Sequence, residues 1–186
     1  MIAILAEDHS DAETLVVIVR KLLADDRAPV YRKGFSGCGE LCRKGSAHID
    51  TFRDRGATHF IVCHDADRED PDAIRRKVHR EILARTGVSE KACIVVPVQE
   101  LEAWIIADED AISTAIPSLR IPEVRQPEAT NDPKEWLENS SRVRSARPLY
   151  SHATHNPVVA RHLNLEKVAR KCPSFVPLSV FVHEHC

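Results

Sequence analysis

Apolar, β-branched runs recur through the first hundred residues, each ending at acidic or glycine-containing sequence, with helical patterns between them. Ile2–Ala6 reads as a buried strand that stops at Glu7 and Asp8. Ser10-Asp11-Ala12-Glu13 has capping-box spacing and starts a helix to about Leu23, with Leu15, Val16, Val19, Leu22 and Leu23 facing inward. Pro29–Arg32 is a short strand candidate. It precedes a glycine-rich turn at Gly34–Gly39 and a helix to about Arg55, where Gly56 is the stop. Thr58–His64 is the strongest apolar run, and it ends in Asp65 and Asp67. Asp70-Pro71-Asp72 opens a helix whose buried stripe is Ile74, Val78, Ile82 and Leu83. Ala92–Val98 is a further buried strand, followed by a helical pattern from Gln99 to Asp108.

Strands that each end in acid and are each followed by a helix make a parallel sheet the economical fold, with helices on both faces. The pattern therefore predicts an α/β domain over residues 1–116. Beyond Ile116 the character changes, because Pro117, Pro122, Pro127 and Pro133 punctuate a polar stretch that cannot continue the alternation. Residues 117–186 are expected to form a mainly helical extension packed on the same domain. Its helix starts are Asp132-Pro133, Asn156-Pro157 and Asn164-Leu165, the last of these helices ending at Cys172-Pro173. The run from Phe175 to Val182 fits either a helix or a strand.

Composition narrows the classes without selecting one. The 186 residues carry 26 basic and 28 acidic side chains, a net charge of −2, which excludes a uniformly basic nucleic-acid binder but not a local basic patch. No apolar stretch approaches membrane-spanning length and the N-terminus lacks a signal-peptide pattern, so a cytoplasmic protein without a membrane partner is expected. Several of the six cysteines lie within apparent strands, as Cys63 and Cys93 do, which suits buried core residues better than a disulfide framework.

The candidate chemistry sits at the strand ends. Asp65 and Asp67 are alternate residues of an extended segment, and paired carboxylates resist joint ionisation unless a cation lies between them. Hard divalent ions such as Mg²⁺ or Mn²⁺ suit that oxygen set. The bland alternative is a loop start at Asp65 and a helix cap at Asp67 or Asp70. Glu7 is then a further ligand or a general base. Asp11, in the first turn of its helix, fits either this group or simple compensation of the helix dipole. Gly37 and Gly39 let backbone approach something closely or merely make a turn, and they match neither a dinucleotide fingerprint nor a Walker loop. Two faces could contact phosphates, Arg75, Arg76 and Arg80 on one helix and Arg142, Arg144 and Arg147 further on, though a solvated charged face is the commoner meaning.

The segments Leu5-Ala6-Glu7-Asp8-His9-Ser10-Asp11, Gly37-Cys38-Gly39 and Val62-Cys63-His64-Asp65-Ala66-Asp67 resemble, in that order, the glutamate motif, glycine turn and Asp-x-Asp motif of the TOPRIM family. The chain looks closest to small TOPRIM-like proteins related to the OLD nucleases, which also show a segment like Glu100-Leu101-Glu102-Ala103-Trp104. Asp8 and Asp70 stand where many such domains have glycine. The resemblance implies a Rossmann-like, largely parallel four-stranded sheet between helices and Mg²⁺ (or Mn²⁺) at Glu7, Asp65 and Asp67. Asp11 and Glu102 are candidate ligands of a second ion. It also implies hydrolysis of nucleic-acid phosphodiesters and, by analogy alone, a role as the effector of an anti-phage defence pair with an ATPase partner. The rival expectation is a non-catalytic module of the same fold that binds nucleic acid or a partner protein.

Overall fold

The computed structural model describes residues 1–142 and 147–186. Four strands, β1 (Ile2–Ala6), β2 (Val30–Gly34), β3 (His59–Cys63) and β4 (Ala92–Val95), form an all-parallel sheet in the order β2-β1-β3-β4. All five residues of the central strand β1 are buried. This burial on both faces is why its sequence is a continuous apolar run.

Strand alternation divides that run between two cores. Ile2, Ile4 and Ala6, with Ile61, Cys63 and Val95, face a layer that includes helix α1 (His9–Leu22). Ala3 and Leu5, with Phe60 and Val62, face α2 (Cys38–Asp54) and α3 (Pro71–Glu81). The α1 side is completed by α4 (Glu102–Ile106), α5 (Glu109–Ala115), α7 (His152–Ala160), α8 (Leu165–Lys171) and α9 (Val176–His185). Trp104, buried in α4, meets Phe175 edge to face at 5.1 Å and donates from Nε1 to Ser174 Oγ at 2.9 Å. The extension thus supplies more than a third of one core layer and shares it with the sheet. The short helix α6 (Pro133–Ser140) lies against α4.

Several boundaries differ from the sequence reading. Asp8, not Ser10, caps α1, its carboxylate accepting the Asp11 N–H at 2.8 Å, while Ser10 Oγ donates to the His152 carbonyl. Helix α7 begins at His152 and carries Pro157 within it, where the sequence suggested a start at Asn156. Pro157 lies in the second turn of that helix, where its missing N–H forgoes the bond to the Ala153 carbonyl. The ambiguous C-terminal run is helical. All six cysteines are free, with Cys63, Cys93 and Cys172 buried.

Candidate functional site

The carboxyl ends of β1 and β3 lie side by side mid-sheet, because the chain leaves β1 for the edge strand β2 and returns on the other side of β1 as β3. Such a reversal of strand order opens a crevice beyond the strand ends, where open parallel sheets bind ligands. Glu7 follows β1 and Asp65 follows β3. Close approach of β2 to the Glu7–Asp8 turn depends on Gly34, where an added Cβ would stand 2.3 Å from the Asp8 carbonyl oxygen.

Backbone alternation brings Glu7 and Asp65 together. Past β3, the N–H groups of His64 and Ala66 continue the ladder to the carbonyls of Val95 and Pro97, both at 3.0 Å. The intervening Asp65 N–H therefore points toward β1. There it donates to Glu7 Oε1 at 2.9 Å. His64 Nδ1 stands 2.7 Å from the same oxygen and 2.7 Å from the Asp65 carbonyl, so Glu7 is held by two donors. Burial disfavours a charge on His64, but the bond to Glu7 and its negative charge outweigh this and raise the imidazole pKa.

The extended segment that continues β3 ends at Ala66. Asp67 and Arg68 adopt left-handed φ values of 47° and 71°, so no pleat holds Asp67 beside Asp65, and Asp67 is exposed. Arg68 reaches across to an ion pair with Asp132, the residue just before α6. Lys134, two residues on, then meets the site: its backbone N–H donates to Glu100 Oε2 at 2.9 Å, and its ammonium stands 3.9 Å from Glu102 Oε1 and 4.0 Å from Glu100 Oε1.

Glu102 is 1% exposed at the start of α4. Its Oε1 accepts from Asn156 Nδ2 at 3.0 Å, and Asn156 Oδ1 accepts from the buried Tyr150 hydroxyl. This chain, supplied wholly by the extension, orients a carboxylate of the α/β half. Among the described residues its other oxygen, Glu102 Oε2, is buried with no partner, and so is Asp65 Oδ1. Buried carboxylate oxygens left unpaired are expensive, which makes these two the atoms that call for a ligand.

Charge knits the residues into one group. Burial, then repulsion from Asp11, Glu102, Glu7 and Asp67, raises the Asp65 pKa well above the ordinary carboxylate range. Asp11, 5% exposed, is raised likewise by burial and by Asp8, Glu102 and Glu7, with Lys134 opposing. Burial also raises Glu102, against Lys134 and Asn156. Asp67, though largely exposed, is raised by the partial desolvation of its carboxylate and by Glu7 and Glu100. For Lys134 burial opposes the charge, and Glu102, Glu100, Asp11 and Asp65 more than restore it.

The fold thus gathers Glu7, Asp11, Asp65 and Glu102 and leaves Asp67 at their exposed edge. Among the described residues, however, no three His, Cys, Asp or Glu side chains converge closely enough to hold an ion as they stand. The reason is visible in the pairing: Glu7 is taken by His64, Glu100 by the Lys134 backbone, and Glu102 by Asn156. The donor set still fits a hard cation by chemistry, since two of the unpartnered buried atoms around the crevice, Asp65 Oδ1 and Glu102 Oε2, are carboxylate oxygens, the third being His64 Nε2.

The arginines expected to contact phosphate are largely engaged locally. Arg75 pairs with Asp72 at 2.6 Å, Arg76 with Asp70 at 3.6 Å and Arg80 with Glu81 at 2.9 Å. Arg142 Nε donates to Asn139 Oδ1 at 3.2 Å and Arg147 is exposed, while Arg144 lies outside the described residues. His64, Lys134 and Asn156 were not singled out by the sequence. One signal was present for Lys134, a cation in the first turn of a helix where the dipole favours acids.

No helix among the described residues is long and apolar enough to cross a membrane. No curated protein matches the chain, and no solved structure matches it. A family model described as a domain of unknown function, DUF4276, matches residues 6–179, taking in the acidic crevice and the extension that completes it, and the chain belongs to that family.

Proposed function

We propose that this protein is a metal-dependent, TOPRIM-like nuclease that hydrolyses nucleic-acid phosphodiesters. The observation that carries the reading is the pair of unpartnered buried carboxylate oxygens, Asp65 Oδ1 and Glu102 Oε2, in one electrostatic group with the buried Asp11 at the switch point of a parallel sheet. Asp11, Asp65 and Glu102 would hold Mg²⁺ or Mn²⁺, with Glu7 and Asp67 at the rim. The ion, when bound, would polarise the phosphoryl oxygen and make water a nucleophile near neutral pH. The chain's own groups do the rest. Glu7, fixed by His64 and the Asp65 N–H, is oriented to accept a proton from attacking water. Asn156 and Tyr150 keep Glu102 aimed inward. Lys134 places a positive charge where phosphate oxygens would gather negative charge.

The anti-phage role and the ATPase partner rest on the sequence resemblance alone, and the cytoplasmic setting on the absence of an apolar stretch of membrane-spanning length. A second reading has its own support: with no ion-sized triad among the described residues, and with His64 and Lys134 serving as internal counter-charges, the same crevice suits a non-catalytic module binding nucleic acid or a partner protein.

The test is cleavage of labelled DNA and RNA by the purified chain in Mg²⁺ or Mn²⁺, with calorimetric titration of Mn²⁺ alongside. Cleavage and Mn²⁺ binding lost together in Asp65→Asn and Glu102→Gln support the nuclease. A wild-type chain that binds no Mn²⁺ and cleaves nothing makes the module the correct reading.

A further inference from the structure

Between α2 and α3 runs a groove of about 590 Å³ lined by Gly39, Cys42, Arg43, Lys77, Arg80, Glu81 and Arg85. It exists because the helices meet closely at Gly45, where an added Cβ would stand 3.0 Å from the Ile82 side chain. Four cations thus face one carboxylate, on a chain whose net charge is −2. Arg80 spends its charge on Glu81 at 2.9 Å. Arg43, Lys77 and Arg85 have no carboxylate within 4.0 Å among the described residues. Three unpaired cations converging from two helices and the turn after α3 differ from a solvated face, on which charges of both signs normally interleave.

Position matters as much as charge. The α2 end of the groove lies at the carboxyl edge of the sheet, since the Gly37 N–H, just before α2, donates to the Glu7 carbonyl at 2.9 Å. At about 1.5 Å rise per residue, Arg43 sits about 9 Å along the helix from that junction. A polyanion in the groove would therefore run toward the acidic crevice. The crevice repels phosphates, so a substrate reaching it needs a positive track beside it.

We infer that the α2–α3 groove binds the phosphodiester backbone of a nucleic-acid strand through Arg43, Lys77 and Arg85. This rests on the nuclease reading for the place where the strand leads, but not for the groove's own affinity. The Arg75 and Arg76 side chains, already paired with Asp72 and Asp70, are spectators.

The experiment is fluorescence anisotropy in EDTA, where no metal-dependent cleavage occurs, using a fluorescein-labelled DNA duplex and the same sequence as RNA. Wild type is compared with R43Q/K77Q/R85Q and with R27Q/R125Q/R170Q, three exposed arginines outside the groove. The thermal midpoint of each variant checks folding. For duplex DNA between about 50 and 200 mM KCl, the slope of log affinity against log salt should fall by about 0.9 per lost contact, near 2.7 for the groove variant. The other triple variant should bind as wild type does. Unchanged affinity and slope in the groove variant overturn the inference, as does a wild type that binds labelled ATP but neither oligonucleotide. If wild type cleaves nothing in Mn²⁺ while the groove variant loses binding, the groove stands and the nuclease reading falls. Cleavage by wild type with undiminished binding by the groove variant has the opposite meaning.

Discussion

Among the described residues Lys134 is the one ammonium beside Asp11, Asp65, Glu100 and Glu102, so Lys134→Met asks whether the acidic crevice depends on an internal cation. Methionine keeps an apolar stem and removes the charge. At 3.9 Å from Glu102 Oε1, with a surface-like effective dielectric near 20, the gross attraction is about 4 kcal/mol. Removing one partner of a buried pair costs about 3–5 kcal/mol, because the other charge is left without compensation. The Lys134 side chain is 30% exposed while that of Glu102 is 1% exposed, which places the expected loss near the lower end, about 3 kcal/mol. For a chain of this length that is a fall in thermal midpoint of about 6–12 °C. Urea denaturation in EDTA near neutral pH measures it. The loss should shrink near pH 5, as protons replace the missing ammonium, and Mn²⁺ should restore more stability to the variant than it adds to wild type. A loss below about 0.5 kcal/mol, the size of an ordinary surface change, would refute the argument. An equal loss at both pH values would too, since it would assign the effect to packing.

The remaining predictions concern the same crevice. Asp65 and Asp11 have folded pKa values raised above their unfolded ones, so the stability they contribute is complete below the ordinary aspartate value of about 3.9 and is lost as pH rises through the raised values. Asp65→Asn should accordingly be more stable than wild type near neutral pH in EDTA, with the gap closing on acidification; a destabilised variant in chemical melts would contradict this. Mn²⁺ at about 100 times its dissociation constant should stabilise wild type by about 2.7 kcal/mol, visible as a higher thermal midpoint that is absent in Glu102→Gln. Gly34→Ala should destabilise by about 3 kcal/mol or prevent folding, because its methyl would meet the Asp8 backbone and not a movable side chain. Asn156→Leu should leave Glu102 Oε1 without its donor, weakening Mn²⁺ binding in calorimetry, whereas Asn156→Gln should recover part of it.

What the sequence determined by itself is the layered α/β plan and the acids at its strand ends. Strands buried on both faces must be apolar throughout, and helix caps and stops are written in neighbouring residues such as Asp70-Pro71, so Ile2–Ala6, His59–Cys63 and Ala92–Val95 are legible from local pattern. Glu7 and Asp65 were legible as candidates for the same reason. Even the engagement of Arg75 was readable, since Asp72 lies three residues before it on the helix. The tertiary structure alone decided how those acids are treated. Asn156 reaches Glu102 across 54 residues and Lys134 reaches Glu100 across 34, and no periodicity encodes a contact between segments that only chain reversal brings together. The left-handed turn at Asp67 and Arg68 similarly ended a pleat that the Asp-x-Asp spacing invited one to extend. The basic groove, too, exists only because α2 and α3 pack closely at Gly45, so that Arg43 and Arg85, 42 positions apart, line one surface.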